Sequence, residues 1–173
     1  MKRVELTEPR ADLRKQFLEM ADEWRSSGDD RYKDALADFD AYVAKLRAEK
    51  KTKDLPADHV PQTTFWLVGE DNRVIGVSRL RHSLTSVLKE RGGHIGYEIR
   101  PSERRKGYGT EILRLSLAKA RQMGLSRAMV TCDDDNVASV RIIERNGGKK
   151  AGTTVSKEPP RPPHSQYWID LSQ

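Results

Sequence analysis

The 173-residue chain is expected to adopt a mixed α/β (α+β) fold: a central, mixed but mostly antiparallel twisted sheet of about six to seven strands, flanked by about four helices. Three observations predict this class. Short apolar runs typical of strands alternate with longer runs of helical periodicity. Strand-like residues 63–68 and 74–80 flank the turn sequence Glu70-Asp71-Asn72, which predicts a hairpin. A strand–helix–strand crossover over residues 95–132 predicts one parallel strand pair.

The N-terminal part is expected to contribute a short strand at residues 4–6 and two amphipathic helices. The first helix covers residues 11–25, and the second carries an apolar stripe from Tyr32 to Leu46 at helical spacing. Both stripes are expected to pack on the sheet, and a further role in lining a pocket stays open. Residues 49–61 are polar and contain two prolines, so they predict a loop.

The rest of the chain alternates between strands and helices. Residues 94–99 predict a strand, residues 110–123 a helix that Gly124 ends, and residues 127–132 a further strand. A helix that Asn136 caps follows, and residues 150–155 and 166–171 form a last strand pair joined by the loop KEPPRPPH. We expect one domain over residues 1–173, with an N-terminal part at 1–50, a core at 63–148 and the final strand pair at 149–171.

Composition excludes several classes of protein. The net charge is +6, but neither a long Lys/Arg run nor a basic patch with interleaved aromatic residues is present, so no nucleic acid partner is expected. A single cysteine, Cys132, rules out an intrachain disulfide, and the histidines lack metal-ligand spacing, so no metal is expected. The sequence shows neither a signal peptide nor a membrane span, which predicts a cytoplasmic protein with no membrane partner.

The loop Arg104-Arg105-Lys106-Gly107-Tyr108-Gly109-Thr110 lies between a predicted strand and a predicted helix. Glycines allow backbone N–H groups to converge, a helix N-terminus favours anions, and the basic side chains add charge, so the loop suits a diphosphate. A P-loop is excluded because Thr110-Glu111 follows Gly109, and a dinucleotide fingerprint because Ile112 replaces its third glycine. Taken alone, the glycines could also serve only a strand–helix turn.

Three linked motifs extend this loop into a pattern. GYEIRP precedes Arg104-x-x-Gly107-x-Gly109, and about 30 residues on come Thr131-Cys132-x-x-x-Asn136-x-x-Ser139 and then Gly147. In this order they resemble the GNAT superfamily of N-acetyltransferases, of bacterial type, over residues 63–171.

The resemblance implies a GNAT fold and acetyl-CoA as co-substrate. It implies that the loop from Arg104 to Thr110 wraps the pyrophosphate, and that Asn136 and Ser139 lie near the pantetheine arm and the phosphates. Asn136 has a rival role as a helix cap, and Ser139 could merely face solvent. The strand end that pairs with pantetheine in the family corresponds to the backbone of Glu98, Ile99 and Arg100.

The family's usual proton-transfer residues do not carry over. Ile143 stands where a tyrosine acid is expected, and Gly93 stands near the position of a carboxylate base. Glu98 is the best remaining base, because it is acidic in an otherwise apolar strand; the alternative is a structural carboxylate paired with Arg100, Arg79 or Arg81. The candidate proton donors are Tyr97, Tyr108 and Tyr167. Cys132 is expected to be a buried small residue and no nucleophile.

The predicted function is transfer of acetyl from acetyl-CoA to a primary amine by direct attack in a ternary complex. The alternative is a catalytically weak acetyl-CoA sensor or partner-binding module with the same fold. The expected acceptor is a small-molecule or peptide amine, and a homodimer is compatible with the resemblance. The run Asp133-Asp134-Asp135 could draw a cationic amine, but such a run is more often a solvated loop before a helix.

Overall fold

The computed structural model describes residues 3–51, 59–155 and 162–172, so residues 52–58 of the predicted loop and most of KEPPRPPH lie outside the described residues. The strands are β1 (Val4–Thr7), β2 (Gln62–Gly69), β3 (Val74–Arg81), β4 (Ile95–Ile99), β5 (Arg127–Asp133), β6 (Lys149–Thr154) and β7 (His164–Asp170). The helices are α1 (Arg14–Ser26), α2 (Lys33–Ala37), α3 (Phe39–Ala48), α4 (Ser86–Glu90), α5 (Tyr108–Gln122) and α6 (Val137–Arg145).

The strands form two antiparallel sheets, in the orders β1-β2-β3-β4 and β5-β7-β6. The mixed α/β class is confirmed, but the expected parallel ladder between β4 and β5 is absent from the described residues. The two sheets meet where the His94 N–H donates to the Met129 carbonyl over 2.7 Å. The Met129 N–H donates a hydrogen bond to Nδ1 of the His94 imidazole at 2.9 Å. A side chain thus replaces the backbone acceptor that would continue the ladder between the strands.

Two hydrophobic clusters occupy opposite faces of the first sheet. One lies beneath α5 and α6 and contains Leu67, Leu80, Ile112, Leu113 and Ile143. The other lies beneath α1, α2 and α3 and contains Phe17, Met20, Trp66 and Val77. Side chains of a strand alternate between faces, so Tyr97 and Ile99 of β4 pack against the α5 cluster. Glu98 points to the other face, where its carboxylate contacts Tyr32.

The second predicted helix is divided in two at Asp38. This residue has an extended backbone, and its carboxylate accepts a hydrogen bond from the Ala41 N–H at 3.0 Å, so it caps α3. The apolar stripe runs through both pieces, which is why periodicity alone predicted one helix. No helix within the three described ranges is long and apolar enough to cross a membrane.

Candidate active site

The loop between β4 and α5 presents a row of backbone N–H groups without partners. Gly107 has a φ of +88° and stands immediately before α5, a conformation that glycine adopts without strain. Within the described residues no acceptor faces the N–H groups of Arg105, Lys106, Gly107, Tyr108 and Gly109. These groups surround the N-terminus of a 15-residue helix, whose dipole favours an anion at this end. The loop therefore fits a diphosphate.

The basic side chains of this loop differ in their surroundings. Arg105 is exposed and forms no ion pair with any described residue, so its charge is available to an anion. Lys106 pairs with Glu103 at 2.9 Å. Burial raises the pKa of Glu103, but Lys106 and Arg73 outweigh it and hold that pKa below its usual value. The guanidinium of Arg104 lies 4.7 Å from the centre of the Trp24 ring, which ties the loop to the end of α1.

Gly109 is required for packing between helices. A Cβ at this position would lie 2.6 Å from Cδ1 of Ile142 on α6. A larger residue would therefore require the Ile142 side chain to shift, in addition to filling the space expected for a phosphate.

The backbone groups of β4 are divided between its two edges. The Arg100 N–H donates to the Ile75 carbonyl at 2.8 Å, and alternation along an antiparallel pair directs the peptide groups of Glu98 to β3 as well. The peptide groups of Tyr97 and Ile99 consequently point to the other edge, where no strand in the described part of the chain pairs with β4. Of the expected pantetheine-binding residues Glu98, Ile99 and Arg100, Ile99 has the suitable direction, although Arg104 Nε approaches its carbonyl at 3.3 Å.

A cavity of about 250 Å³ opens where β4 and β5 part. Its walls include Gly96 and Tyr97 of β4, Val130 and Thr131 of β5, and Ser139 of α6. The Tyr97 hydroxyl is buried without a hydrogen bond of normal geometry among the described residues. Burial raises the pKa of Tyr97, and the nearby Ser139 hydroxyl lowers it in part. The phenol beside this cavity therefore stays neutral and can donate a hydrogen bond.

Glu98 is firmly bound on the opposite face. Its two carboxylate oxygens accept hydrogen bonds of 2.8 Å each from the guanidinium of Arg79, and the Tyr32 hydroxyl donates to Oε1 at 2.5 Å. Arg79 was one of the partners considered from the sequence; Tyr32 was not. Arg100 is buried and pairs with Glu23 instead, at 2.6 Å. This arrangement favours the structural interpretation of Glu98, while its role as a base stays a prediction.

The remaining predicted site residues have clear positions. The Asn136 side chain accepts from the Ser139 N–H at 3.1 Å, which confirms the helix cap at α6. Tyr108 and Tyr167 are buried in the cluster beneath α5, and burial raises the pKa of Tyr167. Burial also raises the pKa of Cys132 to about 11, which disfavours a thiolate nucleophile near neutral pH.

The two departures from the family pattern have structural reasons. Ile143 is fully buried in the cluster beneath α5 and also lines the cavity, so an apolar side chain stands where the family pattern has a tyrosine. Gly93 has a φ of +63°, and a Cβ there would lie 2.5 Å from the Met129 carbonyl oxygen. No side chain fits at that point, so a carboxylate could not replace this glycine.

One polar group at the cavity was not predicted. His164 is buried at the start of β7 and contacts Thr131 and Asp133, which lie 33 and 31 positions away in the sequence. None of the motifs includes His164, and only the pairing of β7 with β5 brings the three residues together. Among the described residues, no cluster of three or more His, Cys, Asp or Glu side chains could hold a metal ion.

Comparison with solved structures places this architecture among known acetyltransferases. RimJ from Mycobacterium smegmatis, solved with CoA-disulfide, is 17% identical with a TM-score of 0.71, covering 96% of this chain and 81% of that one. The microcin C7 self-immunity acetyltransferase MccE, solved with acetyl-CoA and AMP, is 12% identical with a TM-score of 0.70, covering 96% and 92%. A spermidine N-acetyltransferase SpeG chimera from Vibrio cholerae and hSSAT is 14% identical with a TM-score of 0.67, covering 98% and 96%.

These similarities establish the fold, since the identities are low. The comparison with curated proteins gave no match. The family model described as "Acetyltransferase (GNAT) domain" matches residues 3–149, which is most of the chain. The glycine loop, the edge of β4 and the cavity between the sheets all lie within or against that range, and the chain therefore belongs to the GNAT acetyltransferase family.

Proposed function

We propose that the protein is an acetyl-CoA-dependent N-acetyltransferase, which transfers acetyl to a primary amine by direct attack in a ternary complex. The observation that carries this proposal is the row of unpartnered N–H groups from Arg105 to Gly109, which leads along the open edge of β4 to the cavity at Tyr97. A diphosphate at one end and a thioester at the other would match this path.

Each part of the path has a distinct role in the proposal. Arg105, Lys106 and the loop amides bind the pyrophosphate, with Arg104 and Thr110 completing the loop. The peptide groups of Tyr97 and Ile99 on the open edge of β4 align the pantetheine arm, near Asn136 and Ser139. Holding the thioester and the amine together accounts for much of the rate enhancement of such a reaction.

Proton transfer is the second requirement. The Tyr97 hydroxyl, buried beside the cavity and near Ser139, is the best-placed donor for the leaving thiolate, and Tyr167 is a weaker candidate because it packs in the core. The acceptor, a small-molecule or peptide amine, is expected to enter from the face that carries Glu98. The cytoplasmic location and a homodimer stay predictions.

A second candidate function is an acetyl-CoA-binding protein with little turnover. The observation in its favour is that the usual proton-transfer positions hold Ile143 and Gly93, while Glu98 is bound by Arg79. In that case the protein would bind the co-substrate and signal its presence to a partner. The cavity between the sheets supports the enzyme, because a sensor does not need a polar cavity at the thioester end.

Two measurements separate these functions. Calorimetry in the presence of a chelator should show binding of CoA and acetyl-CoA, and the absence of heat up to millimolar CoA would contradict both proposals. Release of free CoA from acetyl-CoA should then be followed with a panel of primary amines that includes polyamines, amino acids and peptides. Amine-dependent release supports the enzyme, whereas tight CoA binding without release supports the sensor.

A further inference from the structure

Thr131, His164 and Asp133 form a continuous chain of hydrogen bonds at the cavity between the sheets. His164 Nε2 lies 2.8 Å from the Thr131 hydroxyl, and Nδ1 lies 2.6 Å from Oδ1 of Asp133. The imidazole is buried, with its side chain 11% exposed. Both Thr131 and His164 line the cavity that Tyr97 reaches from β4.

The donors around this chain determine where its protons lie. The Gly92 N–H donates to the Thr131 hydroxyl at 2.9 Å, so this hydroxyl can give its own proton to Nε2 of a neutral imidazole. Nδ1–H then donates to Asp133, whose same oxygen accepts from Arg91 at 2.8 Å. If the imidazole gains a proton at Nε2, the Thr131 hydroxyl can rotate and direct its proton into the cavity. Both ring nitrogens of His164 therefore keep a hydrogen-bond partner whether the imidazole is neutral or protonated.

The hydrogen-bonded chain of Thr131, His164 and Asp133 lies on the face of β5 that points away from α5. Alternation along β5 directs Val130 and Cys132 into the cluster beneath α5, so Thr131 and Asp133 point to the opposite face. Pairing of β5 with β7 sets His164 directly across from Asp133. An amine arriving on this face would meet the Thr131 hydroxyl, while the other side of the cavity holds Tyr97 and Ser139.

We propose that His164, oriented by Asp133, accepts the proton of the incoming ammonium group through the Thr131 hydroxyl. This inference rests on the proposed function. The ammonium proton moves to the Thr131 oxygen, whose own proton moves to Nε2. The neutral amine nitrogen then bonds to the thioester carbonyl carbon, the C–S bond breaks, and the thiolate gains the second amine proton. The imidazolium afterwards loses its proton to solvent, which balances the step.

The charges near His164 come from several elements. Asp133 of β5 touches the imidazole. A hydrogen bond with the Ser165 side chain, followed by Lys150 and then the histidine, lowers the pKa of Asp134. Arg91, which follows α4, neutralises part of the charge of Asp133. Arg81 of β3 lines the same cavity, but its guanidinium donates to the Gly92 and Gly93 carbonyls. Asp133 thus orients the histidine without leaving an isolated negative charge.

Glu98 is less suited to the same task. Both of its oxygens bind Arg79, and one also accepts from Tyr32, so proton uptake would require loss of these contacts. His164 Nε2 meets a single hydroxyl, which can exchange its donor and acceptor roles. If Glu98 accepts the proton, substitution of Glu98 should impair turnover; if His164 accepts it, substitution of His164 should do so.

The test uses the full chain, acetyl-CoA, and the primary amine of the panel that releases CoA fastest. His164→Gln should reduce kcat/KM by about 100-fold or more, in the range typical of a general base, and should remove the acidic limb of its pH profile. Thr131→Val should cause a similar loss, whereas Thr131→Ser should restore most of the rate because it keeps the hydroxyl. His82→Gln is the matched control, since His82 also contacts a threonine hydroxyl, that of Thr63, but outside the cavity.

Two further readouts keep the inference separate from the proposed function. CoA affinity by calorimetry should be unchanged in His164→Gln, and nitrogen-detected NMR of the wild type should show His164 as the Nδ1–H tautomer. If the wild type releases CoA with an amine but His164→Gln keeps its rate and pH profile, the inference is overturned while the proposed function stands. An Nε2–H tautomer would also overturn it. If no amine releases CoA, the enzymatic proposal fails and the inference fails with it.

Discussion

The carboxylate of Glu98 lies between one guanidinium and one phenol, and this environment limits its chemistry. Burial raises the pKa of Tyr32 well above its usual value, and the neighbouring Glu98 carboxylate adds to the effect, so the phenol stays protonated and donates. Arg79 supplies two parallel hydrogen bonds, a geometry that stabilises an ionised carboxylate. The sequence pattern identified Glu98 as an acidic residue within a strand. Its contact with Tyr32 was not predicted, because Tyr32 lies 66 positions away and reaches Glu98 only through the packing of the N-terminal helices on the sheet.

The variant Glu98→Gln tests whether this carboxylate is structural. The amide cannot balance the charge of Arg79, whose side chain is 30% exposed, so we expect a stability loss of about 1–3 kcal/mol. Turnover per folded molecule should fall by less than about tenfold if His164 is the proton acceptor. Urea unfolding and kcat against pH measure the two quantities. A stable variant with turnover reduced about 100-fold and CoA affinity unchanged would restore Glu98 as the base.

Two carboxylates near the loop before α5 should make the free energy of unfolding depend on pH in the acid range. Although burial opposes it, Arg100 and Ser102 lower the pKa of Glu23, and Lys106 and Arg73 lower that of Glu103. The unfolded chain therefore binds more protons below about pH 4.5, and the stabilisation is lost as pH falls through the folded pKa values. Unfolding in urea between about pH 3 and 6 should show a smaller acid loss for Glu23→Gln and Glu103→Gln than for the wild type. Parallel curves for all three proteins would contradict this expectation.

Elements whose signals are local were predicted well. The end of α5 follows from Gly124 and the start of α6 from Asn136, which act at the helix ends themselves, whereas α5 begins at Tyr108, two residues before the predicted start. The separation of β4 from β5 was not predictable in this way, because it depends on His94 contacting Met129 across 35 positions. Strand propensity depends on packing against neighbouring strands, so the residues of β4 alone do not indicate which of its edges stays unpaired.

The loop before α5 offers a direct test of cofactor binding. Arg105→Ala removes a charge that has no partner among the described residues, so folding should be unaffected. We expect CoA affinity to fall by about tenfold, which corresponds to about 1.4 kcal/mol for one charged contact. Lys149→Ala is the control, because it removes the same charge from β6, beside Leu117 and Arg121 in the second half of α5. Equal CoA affinity in both variants would show that the Arg105 side chain does not contact the pyrophosphate.

At the scale of the whole molecule, two sheets with separate strand ladders share one cluster beneath α5, and their backbones meet at His94 and Met129. On one side of this junction the strands remain in contact, and on the other they part to form the cavity. Gly93 allows the close approach, because its neighbour across the junction is a backbone carbonyl that cannot move aside. The proposed cofactor and acceptor sites consequently depend on the same few backbone atoms.

The variant Gly93→Ala should weaken this junction and the site together. Gly124→Ala is a matched control, since Gly124 also has a positive φ, +88°, but a Cβ there meets nothing within 4 Å. The control should cost about 1–2 kcal/mol for the left-handed conformation. At Gly93 a contact of 2.5 Å to the Met129 oxygen adds to that cost, so we expect a loss larger by about 1–3 kcal/mol. CoA affinity should fall in Gly93→Ala and stay unchanged in Gly124→Ala, because only the first displaces β4 from β5. Urea unfolding and calorimetry measure both effects, and equal losses in the two variants would mean that the junction yields without strain and does not set the width of the cavity.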